Sequence, residues 1–519
     1  MDRKMRVLLA GCTVVAAGAT MTRQRILAQK PDSLSPSPTI PKTWDDAAMA
    51  TLELPLADPI ASPKQASQDY YYKVPVRAIY KQYPVYAPGH EPPGYLDWLK
   101  QQEPQILWDD KGHAPLLRTE ADWIRAGEIA FDAPIGYGFT GYDEKPKSLY
   151  LRDPEWYRRT RSPVRSDGVL PFYSYVIRQK GKVEIGVLAC AMCHTRVMPE
   201  GGVIKGAQGN FPLDRAAAYE HRSVNNLDEA RLGERFLYAA PWLEPTLPIH
   251  FATMSVETIA AAHEAVPPGV VARHNSNPLY PPHVPDLIGV KDRQYLDATG
   301  LQLQHSIADL MRYAALNQGA DYLASYDGFI PMGLPDFKKL PQPDQAGDRY
   351  SDQQLYALAL YVYSLQSPPN PNRFDALAAR GQKVFEREGC AGCHTPPLYT
   401  NNKLTLADGF ALPPGATTKY DILPMSVGTD PGLATKTRRG TGYYKIPSLK
   451  GVWYRSMFGH SGWCATLEDW FDPHRTREDY VPTGFKPYGT KTYAVKGHPF
   501  GLDLSAEDRV ALIAYLKTL

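Results

Sequence analysis

Cysteine and histidine recur in one spacing at two places in the chain. Residues 190–194 read C-A-M-C-H, and residues 390–394 read C-A-G-C-H. In a C-x-x-C-H pattern, the two thiols can bond to the two vinyl groups of one haem, and the adjacent histidine can then ligate the iron. The two motifs therefore predict two covalently bound haem c groups. The predicted attachment and ligand residues are Cys190, Cys193 and His194 for the first haem and Cys390, Cys393 and His394 for the second.

Other interpretations of paired cysteines explain less of this pattern. A thioredoxin-like C-x-x-C needs no following histidine and normally lies in a β-α-β unit, which the sequence does not show. A structural zinc site could use both pairs but does not require a histidine directly after each one. Of the two remaining cysteines, Cys12 is expected to leave with an N-terminal signal, and Cys464 is expected to be a small buried apolar residue.

The composition is that of an ordinary globular chain with a basic N-terminus. A hydrophobic fraction of 43% and a net charge of +2 give no reason to expect nucleic acid or an anionic membrane surface as a partner. The basic start M-D-R-K is followed by an apolar run from Val7 to Ala19, which is too short to span a bilayer comfortably. It predicts an export signal, with a lipoprotein signal ending at Cys12 as the weaker alternative. The expected location is periplasmic or secreted, which agrees with haem c attachment outside the cytoplasm.

Segments on either side of the two motifs also repeat. The C-terminal segment that begins at Ser505 pairs without gaps with the segment that begins at Ser351. Each starts with a serine N-cap and an acidic first turn, followed by apolar residues at helical spacing. Residues 285–293, P-D-L-I-G-V-K-D-R, pair with residues 447–455, P-S-L-K-G-V-W-Y-R. These pairs predict one architecture that is present twice.

A helix that ends at Phe131 similarly pairs with one that ends at Phe385. About 58 residues separate the first of these helices from its haem motif, whereas four separate the second from its own. The predicted fold is mainly α, with two tandem cytochrome c domains, long loops and a large insertion in the first domain. The predicted regions are residues 1–30 (signal peptide), 31–120 (Pro- and Tyr-rich N-terminal region), 121–345 (first domain) and 346–519 (second domain).

The repeat also predicts how the second axial positions of the two irons differ. Aligning T-L-E-D at 466–469 with S-I-A-D at 306–309 places His474 opposite Ala314. The hypothesis is that His474 is the sixth ligand of the second haem, whereas Ala314 and Ala315 leave the first iron open. A closed iron transfers electrons, and an open one can bind a small molecule. The alternatives for the second haem's ligand are His460 and Met457.

These residues resemble the dihaem cytochrome c peroxidase and MauG superfamily over roughly residues 123–519. Besides the two haem motifs, residues 446–469, I-P-S-L-K-G-V-W-Y-R-S-M-F-G-H-S-G-W-C-A-T-L-E-D, look like the family's V-P-[ST]-L-R-N-V…F-H-D-G…A-T-L-E. The resemblance implies a reactive N-terminal haem and a C-terminal haem that stores or relays electrons. It also implies a distal ligand of the second haem fourteen residues after His460, which is His474, and a calcium ion between the domains as in some relatives.

Within the superfamily, the chain looks most like the rubber oxygenase branch. The long insertion, P-W-L-E-P at 241–245 and a histidine at the second haem carry that resemblance. It implies O2 at the first haem and oxidative cleavage of an apolar organic substrate. A peroxidase needs an acid–base group over the iron, and no glutamate between His194 and Ala314 has a convincing context for it. The candidates in that interval are Glu229, Glu234 and Glu244, each of which is more simply a surface residue. The predicted apolar pocket consists of Trp242, Phe251, Met254, Ala314 and Ala315, with Trp242 also a candidate electron relay.

Three functions follow as hypotheses. The first is a rubber-oxygenase-like oxygenase that uses O2. The second is a reductase of H2O2 that takes electrons from a small cytochrome or cupredoxin. The third is a non-catalytic electron carrier with two six-coordinate irons. An oxygenase turns over without an external electron donor and a peroxidase requires one, whereas a carrier binds neither O2 nor cyanide readily.

Overall fold

Helices carry most of the regular structure, so the fold is mainly α as predicted. The computed structural model describes residues 38–519 except for residues 53, 110, 112–116, 138–149, 229, 231–236, 244–252, 274–275 and 332–339. The predicted export signal therefore lies outside the described residues, as do Phe251, Glu229, Glu234 and Glu244. None of the helices described is long and apolar enough to cross a membrane.

Helices and strands are numbered in chain order along the described residues. The helices are α1 (Asp46–Leu52), α2 (Gln68–Lys73), α3 (Tyr95–Lys100), α4 (Glu120–Asp132), α5 (Pro154–Thr160), α6 (Cys190–Cys193), α7 (Leu213–Val224), α8 (Val256–Glu264), α9 (Ile307–Asn317), α10 (Asp352–Ser364), α11 (Ala376–Arg387), α12 (Ala416–Lys419), α13 (Gly432–Thr435), α14 (Leu467–Trp470) and α15 (Ala506–Lys517). The strands are β1 (Lys64–Gln65), β2 (Ile79–Tyr80), β3 (Gln82–Tyr86), β4 (Ile106–Trp108), β5 (Gly136–Tyr137), β6 (Val169–Gln179), β7 (Lys182–Val187), β8 (Thr195–Val197), β9 (Val203–Lys205), β10 (Ala324–Ser325), β11 (Leu404–Leu406), β12 (Ile422–Ser426) and β13 (Tyr443–Lys445).

One helix crossing occurs twice. Helix α4 packs against α10, and α11 packs against α15. At the first crossing a Cβ on Gly127 would overlap the carbonyl of Ala357, and at the second a Cβ on Gly381 would overlap the carbonyl of Ala511. Both alanines lie six residues after the serine N-caps that the sequence pairs. The repeated sequence therefore corresponds to a repeated packing of helices, in which glycine permits the close approach.

Helices α9 and α14 also begin alike. The side chain of Ser306 caps α9 and that of Thr466 caps α14, each in a capping box with an aspartate three residues later, Asp309 or Asp469. The alignment of S-I-A-D with T-L-E-D is thus reproduced in the local structure. The two helices differ in length, because α9 has 11 residues and α14 has four.

Strands β5, β6 and β7 of the insertion before the first haem motif form a sheet together with β3 of the N-terminal region, and this sheet covers the motif. Its strands are ordered β3-β6-β7-β5, and all neighbours are antiparallel. Met192, between the two cysteines of the motif, is 1% exposed and packs into the cluster that contains Phe172 and Phe211. In the second motif the equivalent residue, Gly392, is exposed. The two residues between the cysteines, Ala191 and Met192, are thus buried in the first motif, whereas Gly392 is exposed in the second.

Candidate haem centres

Both C-x-x-C-H motifs form a single tight turn. The first is α6, and the second is a 3-10 turn from Cys390 to Gly392. In each, the histidine N–H donates to the carbonyl of the first cysteine, at 3.0 Å for His194 and 2.8 Å for His394. The four cysteines and two histidines of the motifs all line one continuous cavity of about 400 Å3. The turn thus presents two thiols and an imidazole to the same space, as haem attachment requires.

Each motif histidine is oriented by a proline carbonyl from the repeated P-x-L-x-G-V segment. His194 Nδ1 donates to Pro285 at 3.0 Å, and His394 Nδ1 lies 3.1 Å from the carbonyl of Pro447 and 3.2 Å from that of Tyr399. Because a carbonyl only accepts, Nδ1 carries the proton, and Nε2 keeps the lone pair that a metal needs. Burial lowers the pKa of His194 to about 4 and also lowers the pKa of His394, so both imidazoles stay neutral, as metal ligation requires.

The thiols do not have the properties of a redox-exchange pair or a zinc site. Burial raises the pKa of Cys190 to about 12 and that of Cys390 to about 11, and it also raises the pKa values of Cys193 and Cys393. Thiol exchange uses the thiolate, which a raised pKa disfavours. Among the described residues, no group of three or more His, Cys, Asp or Glu is placed to hold a metal ion. Protonated thiols beside a large cavity fit haem attachment better than either alternative.

A histidine outside the set predicted from the sequence faces His394. The ring centres of His394 and His498 lie 6.4 Å apart. Two imidazole nitrogens bound to one transition metal at about 2 Å, each about 1 Å from its own ring centre, give a separation of about 6 Å. His498 lines the cavity, and its Nδ1 is buried without a hydrogen-bond partner in the described part of the chain. Burial, with the neighbouring His394, lowers the pKa of His498 to about 3. This spacing fits two imidazoles that would hold one iron between them.

The structure contradicts the prediction that His474 is the sixth ligand. The side chain of His474 is 69% exposed, and both its backbone N–H and its Nδ1 bond to Asp472 Oδ1, at 2.9 and 3.0 Å. Helix α14 ends at Trp470 after one turn, and Asp472 then caps a 3-10 turn that directs the imidazole to solvent. Because α9 continues where α14 has ended, the alignment of the two copies no longer holds at His474 and Ala314.

The neighbouring Arg475 points inward and holds the segment that carries His498. Arg475 is fully buried and donates from Nε to the carbonyl of Trp470 at 2.7 Å. Its guanidinium also donates to the carbonyls of Val495, Gly497 and His498, the last two at 3.0 and 2.9 Å. Four carbonyls from two segments thus converge on one cation, which fixes the backbone of His498 beside the cavity.

The alternatives His460 and Met457 line the cavity in other surroundings. The His460 ring stacks on Tyr444 with ring centres 4.1 Å apart, and its backbone carbonyl accepts from the N–H of His283 at 2.9 Å. Burial, with the neighbouring His283, lowers the pKa of His460 to about 3. Met457 packs with the apolar cluster around Trp463. Among the described aromatic contacts, the ring that lies close to the His394 ring is that of His498, not that of His460, and Met457 packs elsewhere.

Helix α9 contributes residues to the cavity that the first motif lines. In the second site, the ring of Trp470 on α14 is 5.4 Å from that of His498, so α14 borders the sixth-ligand position. Because α9 begins with the same capping box, we expect it to border the equivalent position of the first site. Its cavity face consists of Leu310, Tyr313, Ala314 and Asn317. None of these is a histidine or methionine, and the residue of the first copy that pairs with His498, Asp344, is exposed.

Three residues of the predicted apolar pocket lie elsewhere. Ala315 is 4% exposed and belongs to the core cluster between α4, α9 and α10, because neighbouring residues on a helix point about 100° apart. Trp242 stacks on Tyr326 at 5.2 Å in a separate cluster and does not line the cavity, so it is not placed as a relay between the haems. Met254 packs beside Leu279. Of the predicted set, the described cavity keeps Ala314.

Cations gather between the two proline segments. Arg293 and Arg455, which occupy equivalent positions in the repeat, line a small second cavity together with Lys445. Arg455 Nε is buried without a hydrogen bond in the described residues and lies 3.8 Å from Asp286 Oδ2. Burial, with the neighbouring Arg293, lowers the pKa of Lys445 to about 7. Buried cations with few matching carboxylates suit the acidic side chains of haem, so the residues present fit two haem c groups.

This cluster is positively charged, so it does not suit the predicted calcium ion. Calcium takes six to eight oxygen ligands that include carboxylates. A calcium ion at another place between the two predicted domains remains a prediction.

Comparisons with known proteins give no family. No protein-family model matches the chain, and no curated protein matches it. Among solved structures, a hydrazine synthase of Kuenenia stuttgartiensis pressurised with xenon aligns at 14% identity and a TM-score of 0.29, over 57% of this chain and 92% of that one. A MauG-like protein associated with microbial copper homeostasis aligns at 19% identity and a TM-score of 0.30, over 56% and 88% of the respective chains.

His498 and Arg475 are the site residues that sequence reasoning missed. The gap-free pairing of the terminal helices could have found His498, because it lies seven residues before Ser505, where the first copy has an aspartate. Extending the pairing from the T-L-E-D segment leads to His474 instead, because the helix that begins there differs in length between the copies. Arg475 carries no sequence signal, because its four acceptors are backbone carbonyls from two segments.

Proposed function

We propose that this protein is a dihaem c-type oxidoreductase whose first haem reacts with a small oxidant and whose second haem delivers electrons. The asymmetry between the two sites is the observation that supports this proposal most directly. A histidine lies 6.4 Å from His394 across the second site. The described residues of α9 place only Leu310, Tyr313, Ala314 and Asn317 beside the first. An iron with two imidazole ligands exchanges electrons, whereas an iron with one can bind O2 or H2O2.

The positions of the two motifs support this division of roles. The sheet β3-β6-β7-β5 covers Met192 of the first motif, so a reaction there would be shielded from solvent on this side. The second motif lies near the surface, where Gly389 and Gly392 are exposed and Phe500, which lines the cavity, is 39% exposed. A small redox protein could pass electrons to this exposed edge. The partner class and a periplasmic or secreted location belong to the same proposal.

The chain's own residues have distinct tasks in this scheme. Bound haem would supply the redox-active iron. Cys190 and Cys193 would hold the first haem and Cys390 and Cys393 the second. The carbonyl of Pro285 keeps the proton of His194 on Nδ1, which leaves Nε2 for the iron. The carbonyl of Pro447 does the same for His394.

Spectroscopy of the ferric protein tests the proposal. We expect one high-spin and one low-spin haem by electron paramagnetic resonance, with cyanide converting only the high-spin signal. Two low-spin haems that are indifferent to cyanide would contradict the proposal and favour a non-catalytic electron carrier. Haem staining after denaturation, with Cys→Ala variants of each motif as controls, would show whether attachment is covalent at both.

An oxygenase that acts on an apolar substrate is the second candidate. It is favoured by the apolar residues that line the first side of the cavity, among them Val271, Leu310 and Ala314. The need for an external electron donor distinguishes the two. Turnover of polyisoprene with O2 and no donor would support the oxygenase, whereas donor-dependent consumption of H2O2 would support the peroxidase-type reaction.

A further inference from the structure

An arginine lies beside the first haem motif, where the sequence predicted an apolar pocket. Arg273 lines the cavity together with Cys193, Ala314 and Asn317. Its Nη2 donates to the carbonyl of Asn317, the last residue of α9, at 3.1 Å. Burial raises the pKa of Cys193, and the neighbouring Arg273 offsets part of that rise. The guanidinium therefore lies between the end of α9 and the second cysteine of the motif.

Arg273 keeps its charge and has N–H groups left for a bound molecule. Burial lowers the pKa of Arg273, but the neighbouring Cys193, Tyr322 and Tyr238 together raise it above its usual value. None of these three groups is a carboxylate. A guanidinium has five N–H donors, and among the described residues its hydrogen bond to a protein oxygen is the one to Asn317. The other donors can bind a molecule in the cavity that Arg273 lines.

The buried aspartates of this region have other partners. Asp214 accepts from Nδ1 of His263 at 2.8 Å through Oδ1 and from the N–H of Ala272 at 2.9 Å through Oδ2. Asp297, which also lines the cavity, has two other cations as its neighbours. Because a buried cation without a paired anion destabilises the fold, an anion in the cavity would bind favourably to Arg273.

The acidic groups of haem do not account for this anion. Haem carries its two vinyl groups and its two propionate groups on opposite edges, and the cysteines of a C-x-x-C-H motif bond to the vinyl edge. Arg273 is a neighbour of Cys193, so it belongs with the vinyl edge of the first haem. The cations that suit the propionates, Arg293, Lys445 and Arg455, line the separate second cavity. The anion for Arg273 is therefore a separate molecule.

We propose that Arg273 anchors a binding site for a small monovalent oxyanion at the first haem, with two oxygens on one atom as in nitrite or a short carboxylate. This inference rests on the proposed function, because it names a ligand class of the open site. The planar guanidinium can donate two parallel hydrogen bonds to the two oxygens of such an anion. Ala314 lies one turn before Asn317 on the cavity face of α9, and its methyl group leaves space there. One cation pairs with one negative charge.

Ligand titrations of the ferric holoprotein at slightly alkaline pH, followed by Soret absorbance, test the assignment. Nitrite, formate and acetate are the anionic probes, and imidazole is the neutral one. Arg273→Met should weaken binding of the anions about 10- to 100-fold, because hydrogen bonds to a charged group are lost, and should change imidazole binding less than twofold. Arg273→Lys keeps the charge and should restore the anion affinities in part. The matched control is Arg158→Met, which replaces an arginine of α5 that is 71% exposed and should behave as wild type.

A second variant separates the charge from the structural role of the side chain. Arg273→Gln keeps a planar N–H donor for the carbonyl of Asn317 but has no charge, so it should weaken anion binding as Arg273→Met does. The anion whose affinity falls most identifies the source. A larger loss for nitrite supports an inorganic oxyanion, and a larger loss for acetate supports the carboxylate of an organic substrate.

Two results would overturn the inference while leaving the proposed function in place. The first is an anion affinity of Arg273→Gln within twofold of wild type, which would leave Arg273 as a residue that holds the end of α9. The second is a wild-type protein that binds cyanide and imidazole but none of the anions. If the wild-type protein binds neither cyanide nor imidazole, the proposed function itself fails.

Discussion

Replacing His498 with alanine should open the second haem while leaving its attachment intact. The imidazole of His498 is the described ring that faces His394, and the 6.4 Å between the ring centres matches two bonds to one metal. Alanine removes every atom that could reach the metal. The second iron should therefore change from low spin to high spin, and the first should keep its spectrum.

The number of cyanide molecules bound per chain measures the size of this effect. With one open iron, the wild-type protein should bind one cyanide per chain, and His498→Ala should bind two. Added imidazole should restore the low-spin spectrum of the variant, because it can occupy the space that the side chain leaves. Electron paramagnetic resonance and a cyanide titration followed by Soret absorbance measure both quantities on the same sample.

His474→Ala is the matched control, since sequence reasoning selected that residue. Its side chain is 69% exposed and bonds to Asp472, so its loss should change neither the spin state nor the cyanide count. The assignment of His498 would be refuted if His498→Ala kept the single low-spin signal of the wild-type protein or still bound only one cyanide. A high-spin second haem in His474→Ala would restore the original prediction.

Three further predictions follow from other contacts. Arg475→Met removes the donor for four backbone carbonyls, those of Trp470, Val495, Gly497 and His498. It should lower the free energy of unfolding by about 3 kcal/mol, measured by urea unfolding. It should also make the second haem partly high-spin, as optical spectra would show. His283→Asn should flatten the pH dependence of stability. Burial lowers the pKa of His283 from 6.5 to about 4, so the unfolded chain binds this proton more readily than the folded one. The contribution of His283 to the free energy of unfolding is therefore present above pH 6.5 and falls by about 2 kcal/mol between pH 7 and pH 5. Urea unfolding of the wild-type and variant proteins at both pH values measures this difference. Gly381→Ala should lower the free energy of unfolding by about 3 kcal/mol by forcing α11 away from α15, whereas Gly392→Ala, with no atom within 4 Å of its Cβ, should be nearly neutral.

The repeat was readable from sequence because short-range rules encode it. Serine caps and capping boxes recur at fixed distances from apolar positions, and the structure has them at Ser351, Ser306 and Thr466. The proline segments pair in the same way, and both proline carbonyls accept from a motif histidine. Such features need only a few neighbouring residues, so they survive where overall similarity is low.

The sixth ligand was not readable in the same way, because tertiary contacts determine its position. Spacing along the chain put His474 at the site, but the structure directs it to solvent through Asp472. The histidine that faces His394 reaches the cavity from a loop 24 residues later, which Arg475 holds through backbone carbonyls. Any sequence can supply a carbonyl, so this contact leaves no pattern that spacing could reveal.

The proposed difference between the two sites would arise from how far one helix continues. Helices α9 and α14 begin with the same capping box, but α14 ends at Trp470 after four residues. The space beyond it admits the loop with His498, whose ring lies 5.4 Å from Trp470. Helix α9 continues to Asn317 and lines the cavity with Tyr313 and Ala314. In the proposed function, the extended helix would exclude a ligand loop, and the same fold would yield one closed site and one open site.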